Sequence, residues 1–167
     1  MSRYAMEGIA PFWEVLGERP IGFTLVTASA GEPVGFVGLS VAHVSADPPL
    51  LSVALDARNA VLDPIDRSGA FAVNFLSTAN ETIAKAFLKK GGPAAERFRP
   101  RQWTTLATGS PVLLDGLGLF DCRVERRVDL GHAQLLIGRV VGSWATGEGA
   151  PLVFFRGALS PMNLSTG

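Results

Sequence analysis

Residues 35–56, "GFVGLSVAHVSADPPLLSVALD", are apolar almost throughout, yet Asp47, Pro48 and Pro49 divide them. Proline cannot donate to a sheet ladder and restricts the residue before it, so the run breaks there. Before the break, Val37, Leu39 and Val41 alternate with Gly38, Ser40 and Ala42. A period of two is strand periodicity, here with one bulky face and one small face. After the break, "LLSVALD" resumes as another strand. The feature predicts two apolar strands joined by a rigid reversal.

The rest of the chain continues in the same manner. "APFWEVLGER" reads as a short helix, with Pro11 in its first turn and Phe12, Val15 and Leu16 on one face. "IGFTLVTA", residues 21–28, is β-branched and apolar and predicts a strand. "SAGEPVG" is turn chemistry, which makes a hairpin with the strand that follows. "NAVLDPIDRSG" predicts a short helix capped by Asn59 and ended by Gly69. "AFAVNFL" is a buried strand. "STANETIAKAFLKKGG" is the clearest helix, with Thr78 and Glu81 as a capping box and Gly91-Gly92 as its stop. "GPAAERFRPRQW" reads as a loop. "GLGLFDCRVERRVDL" and "HAQLLIGRVVGSWA" are two long strands joined tightly at Gly131, and "PLVFFRGALS" is a last short strand. The tail from Met162 is expected to be loose.

Strands here follow one another without alternating with helices, which argues against a parallel doubly wound sheet. The expected fold is mainly β: a small antiparallel barrel with two or three helices outside, closure removing the exposed edges of such apolar strands. No linker divides the chain, so residues 1–167 are expected to form one domain, its core about 8–160.

Charge and composition narrow the function. Fifteen basic and fifteen acidic residues leave a formal net charge of zero. That argues against nucleic acid, which usually meets a basic face. With 47% apolar residues and 18% charged, a chain without net charge favours burial of surface in an oligomer. Cys122 is the single cysteine, so neither a disulfide framework nor a cysteine zinc site forms within the chain. The start of the chain has no continuous apolar core of a signal peptide, and no stretch reaches about 18 uninterrupted apolar residues, so a cytoplasmic protein without a membrane anchor is expected. "G-x-G-x-x-G" opening a helix, the P-loop and "G-x-S-x-G" are all missing, and the two histidines lie far apart, without metal-ligand spacing.

Across residues 21–157 the order "GFTLVT…GEPVGFVGLSVAHVSADPPLLSVALD…SGAFAVNFL…RF…DCRV…GHAQLLIGRVV…PLVFFRG" resembles the flavin reductase-like family. That resemblance implies an FMN-binding type of split β-barrel. It also implies a homodimeric NAD(P)H-dependent reductase of FMN or FAD that hands reduced flavin to a partner oxygenase. In the family the strand before "D-P-P" runs along the flavin ring, which implies Gly38, Leu39 and Ser40 as flavin contacts. The loop and helix start after the next strand hold the phosphate, which implies Arg58, Asn59 and Ala60. Phe98 lies on a loop near the flavin or the pyridine nucleotide, and His132 stands where the nicotinamide approaches.

The chain departs from the family where Val37-Gly38-Leu39-Ser40 replaces "T-A-S-S" or "T-A-N-S", and where residues 57–61 replace "K-S-S-x-T". Arginine can grip a phosphate bidentately and a helix start favours anions, so Arg58 and Asn59 can stand in for the lost hydroxyls. Hydride transfer needs the donor held close to flavin N5 and something to favour charge on the reduced ring. His132, as a histidine, can do the second job.

On the residues alone these positions read otherwise. Ser40 is then a strand serine, Arg58 a solvated arginine, Asn59 a helix cap and His132 a hairpin-end histidine. Phe98 is a loop anchor, His43 a core or subunit contact, and Cys122 a small buried hydrophobe. Two other functions remain open: a flavin-binding electron carrier without turnover, and a barrel holding another ligand such as haem, with His43 or His132 axial.

Overall fold

A computed structural model describes residues 9–99 and 102–162. Helix α1 (Ile9–Gly17) comes first, with Pro11 in its first turn as expected. The strand expected at residues 21–28 is two strands, β1 (Ile21–Gly22) and β2 (Thr24–Ser29). Phe23 separates them because its backbone serves both neighbours: its N–H donates to Leu152 O at 2.7 Å and its carbonyl accepts from Leu76 N–H at 3.0 Å.

Strands β3 (Pro33–Val37), β4 (Val41–Ala46), β5 (Pro49–Asp56), β6 (Ala70–Phe75), β9 (Gly118–Asp129) and β10 (Ala133–Ala145) join β2 in the main sheet. Its seven strands run antiparallel in the order β3-β2-β6-β9-β10-β5-β4. A second sheet holds β1, β11 (Leu152–Phe155) and β12 (Ala158–Pro161), and a third pairs β7 (Trp103–Thr105) with β8 (Pro111–Leu113). The helices are α2 (Leu62–Ser68), α3 (Glu81–Leu88) and α4 (Ala94–Arg97).

The two edges of the main sheet, β3 and β4, are consecutive in the chain. The strand periodicity at residues 37–42 suggested one strand, but Gly38, Leu39 and Ser40 leave the ladder and step from one edge to the other. Gly38 N–H donates to Thr24 O of β2 at 2.9 Å, and Ser40 O accepts from Ala54 N–H of β5 at 3.2 Å. The barrel is thus split, and three residues of chain bridge the split. The reversal at the double proline is as expected: Ala46 pairs with Pro49, and the Asp47–Pro48 peptide is cis.

Period-two burial is clearest in β5 and β10. In β5 Leu51, Val53 and Leu55 are buried, and they join Val26, Phe71, Leu136 and Ile65 of α2 inside the barrel. Strand β2 is buried on both faces, since Leu25 instead joins Phe23, Leu76, Phe87 of α3 and Leu152 in a second cluster. Each such side chain contributes about 1.5–3 kcal/mol by leaving water. Asn74 of "AFAVNFL" is fully buried yet satisfied. It donates to Leu25 O at 3.3 Å and Thr27 Oγ1 at 3.1 Å, and its Oδ1 accepts from Leu113 N–H at 2.9 Å, which ties β8 onto the barrel.

Several local expectations are corrected. The capping box before α3 is Ser77 with Asn80, not Thr78 with Glu81, because a 3₁₀ turn (Thr78–Asn80) precedes the helix. Asn59 does not cap α2 directly: Val61 holds that place, while Asn59 Oδ1 accepts from Val61 N–H in the turn before it. Gly69 ends α2 as expected, at φ 68, its N–H donating to Ile65 O. The loop after α3 contains α4, and "PLVFFRGALS" is a hairpin of two strands turning at Arg156 and Gly157. The tail from residue 163 lies outside the described residues.

Candidate functional site

The split opens into a cleft of about 450 Å³. Leu39 and Ser40 form one wall, with Phe36 and Val37 behind them. Trp13, Leu16 and Gly17 of α1 and the β11–β12 turn at Phe154, Arg156 and Gly157 form another, and Leu55, Asp56 and Asn59 close the end of β5. A smaller recess of about 220 Å³, with Gly38, Thr24 and Phe75 in its wall, shares Arg19, Ile21 and Leu39 with the cleft. The apolar strands and α1 therefore make greasy walls, and polar groups stand at the ends.

Gly38 is small because the core behind it has no room for a side chain. A Cβ built on it would stand 2.5 Å from Val26 Cγ2, so the missing side chain makes room for the core. Leu39 and Ser40 are the linker positions whose side chains remain for the cleft.

Two ion pairs fix the rim. Arg58 forks onto Asp56, with Nε to Oδ1 at 3.1 Å, Nη2 to Oδ2 at 3.0 Å, and its backbone N–H to Oδ1 at 2.8 Å. The Arg58 side chain first, then its backbone N–H, hold the Asp56 carboxyl down at about 2, with a further small attraction from His132. Arg156 forks onto Glu18 at 3.0 and 2.7 Å, and its hydrogen bond holds the Glu18 carboxyl below its ordinary value. The Arg156 guanidinium lies 4.8 Å from the centre of the Phe155 ring, and its backbone N–H donates to Gly17 O at 3.1 Å. Glu18 and Arg156, far apart in sequence, thereby latch α1 to the last hairpin. The Arg19 guanidinium has neither an ion pair nor a hydrogen bond among the described residues.

The residues singled out in the sequence are spread between the cleft, its rim, the core and the surface. Leu39, Ser40 and Asn59 line the cleft and Gly38 the smaller recess. His132 lies on the exposed turn between β9 and β10, and its carbonyl accepts from Ala57 N–H at 3.0 Å, so the loop of Arg58, Asn59 and exposed Ala60 sits against it. Phe98 lies elsewhere, packed 5.4 Å from Phe87 and 4.8 Å from Trp103 in the second cluster. His43 is exposed on β4, so it is not the core residue that its alternation suggested. Cys122 is fully buried and its thiol is pushed up to about 12, mainly by burial. Arg19 and Asp56 were missed, because one charge beside a proline or at a strand end carries no period or spacing that marks it.

The flavin reductase like domain family matches the chain over residues 16–163. The chain belongs to the flavin reductase-like family. The NADH-dependent FMN reductase RutF of Bradyrhizobium diazoefficiens is 34% identical over 159 residues, covering 92% of this chain and 86% of that one. The reductase subunit HsaB of a flavin-dependent monooxygenase from Rhodococcus jostii is 35% identical over 156 residues, covering 92% and 78%. Among solved structures, nitrilotriacetate monooxygenase component B from Mycobacterium thermoresistibile superposes with a TM-score of 0.84 at 30% identity, covering 92% of this chain and 86% of that one. The mainly β, antiparallel split barrel expected from the resemblance is thus the fold of this flavin reductase-like chain. No helix among its described residues is long and apolar enough to cross a membrane.

Proposed function

We propose that this chain is an NAD(P)H-dependent flavin reductase that supplies reduced FMN or FAD to a partner oxygenase. One observation carries the reading: the split of a flavin reductase-like barrel opens into an apolar-walled cleft of about 450 Å³ with polar groups at its ends. Ligand sites of roughly 300–1,000 Å³ with greasy walls and a few placed polar groups suit a compact aromatic ligand, so the residues present fit a flavin. The chain's relatives, an NADH-dependent FMN reductase and a monooxygenase reductase subunit, support NADH as donor, FMN as acceptor and an oxygenase as consumer.

When bound, flavin supplies the acceptor for the nicotinamide hydride. The protein's share is placement. Leu39 and Leu55 exclude water on the apolar walls, and Ser40 offers a hydroxyl beside them. Asn59 marks the polar end, and Arg58 meets a phosphate there with its Nε–Nη2 edge already engaged by Asp56. Ala60 follows on the same loop. His132, set against that loop, is the residue proposed to favour charge on the reduced ring. Phe98 holds the loop after α3 through Phe87 and Trp103, away from the cleft.

The working form is a homodimer of single-domain chains in the cytoplasm. Exposed Phe12, Trp13 and Val15 on α1 and Val141 and Trp144 on β10 support a partner copy.

NADH and NADPH oxidation by purified protein, with and without added FMN or FAD, tests the reading. Saturable oxidation that depends on added flavin is expected. Flavin binding without oxidation by either nucleotide would replace the reductase with an electron carrier.

A further inference from the structure

We infer that Arg19 is the phosphate anchor of the nucleotide cleft, in place of the Arg58 that the sequence suggests. The inference rests on the reading that the cleft holds a nucleotide.

Among the described residues, three charged side chains line the cleft: Asp56, Arg156 and Arg19. Asp56 is satisfied by the fork of Arg58, and Arg156 by its own fork onto Glu18. Each pair is neutral as a unit. Each arginine has also committed the Nε and Nη2 edge that would otherwise grip a phosphate in two places. Arg156 is further fixed through its backbone bond to Gly17 and its ring contact with Phe155. Arg19 is exposed and its guanidinium has no partner among the described residues. Among the described residues it is the one lining charge left without an opposite.

Its position strengthens the case. Arg19, Ile21 and Leu39 are the residues that the cleft and the smaller recess have in common. A flexible cation at that junction reaches a ligand in either space. The backbone at its root is held, since Arg19 N–H donates to Leu16 O at 3.2 Å where α1 ends. A base or ring in the greasy cleft and a phosphate on Arg19 describe a nucleotide, not a neutral aromatic. The phosphate could belong to the flavin or to the nicotinamide dinucleotide, and riboflavin, which lacks it, separates the two.

Calorimetric binding of FMN and of riboflavin to the full chain and to Arg19→Gln tests the inference, with steady-state KM for NADH alongside. FMN is expected to bind Arg19→Gln about tenfold more weakly, the size of a charge-assisted contact, while riboflavin is unchanged. Arg19→Lys should recover part of the loss. Added salt should erode the preference of the native chain for FMN over riboflavin and leave Arg19→Gln flat, because the contact is solvent-exposed. A rise in KM for NADH with both flavins unaffected also upholds the anchor and gives it the dinucleotide phosphate. Equal losses for FMN and riboflavin, or no change with any ligand, overturns it. The binding arm needs no turnover: a native chain that binds FMN but oxidises no NADH sinks the reductase and still decides Arg19. A native chain that binds neither flavin overturns both.

Discussion

Gly38 and Val26 share one space: a Cβ on the glycine would lie 2.5 Å from Val26 Cγ2. The linker cannot simply move away, because Gly38 N–H is bonded to Thr24 O. Gly38→Ala is therefore expected to destabilise by about 1–3 kcal/mol through overpacking. Urea unfolding should show a lower midpoint at unchanged slope. Combining it with Val26→Ala should cost less than the sum of the two single changes, since the second makes room for the first. Strict additivity would mean that the two side chains do not compete.

Acid should act late on the rim. Asp56 is held at about 2 against an ordinary 3.8, and Glu18 is held below its ordinary 4.5. Both folded-state values are depressed, so each pair's contribution is full above the ordinary carboxylate range and fades as pH falls toward the folded value. The stability contributed by these pairs should be constant from about pH 8 to about pH 5 and decline below about pH 4. A carbon-13 titration of the Asp56 carboxyl should give a midpoint near 2. A midpoint at the ordinary value would show that the Arg58 fork does not persist in solution.

Breaking the latch should change ligand preference more than stability. Glu18→Gln leaves Arg156 positive and unmatched in the cleft wall. At solvent-like dielectric one extra charge nearby should raise the FMN-to-riboflavin affinity ratio about two- to threefold. Parallel flavin titrations of the variant and the native chain check it. An unchanged ratio would place the phosphate out of reach of Arg156.

His132→Ala separates placement from chemistry. The carbonyl that receives Ala57 N–H is backbone and survives the change. We expect kcat to fall about tenfold while the affinity for flavin stays, as for a group that acts mainly in the transition state. Weaker flavin binding at constant kcat would make His132 a binding residue instead.

Cys122 should be inert in the folded chain. Its thiol is pushed up to about 12, by burial first and by the Asp121 charge second, and the thiolate is the reactive form. Labelling by a thiol reagent near neutral pH should proceed only as fast as the protein unfolds. Cys122→Ser should destabilise by about 1–3 kcal/mol, because the hydroxyl would be buried among apolar neighbours. Rapid labelling of the native chain would refute the burial.

What the sequence reveals follows from what alternation records. Period two shows which faces of β5 and β10 are buried, so those strands were legible. It does not record partners. Val37, Leu39 and Val41 keep their alternation while the backbone changes edges, so two strands and a linker looked like one. The turn at Arg156 was hidden because a non-glycine residue takes φ 49 there. Strands β7 and β8 are three residues each, too short for any period. At the site, Ser40 and Asn59 could be found from their place in the motifs. The grip of Arg58 on Asp56 and of Arg156 on Glu18 could not, since each depends on where the fold brings two side chains.

One consequence of the split concerns how the cleft can change its width. A barrel closed by a hydrogen-bond ladder must break bonds to widen. Here the wall across the gap is Leu39, standing between a residue fastened to β2 and a residue fastened to β5. The torsions that run from Gly38 through Leu39 to Ser40 are the ones at the split that can turn without breaking a ladder bond. A thicker stack, such as two rings laid face to face, would draw on those torsions before it drew on any ladder bond.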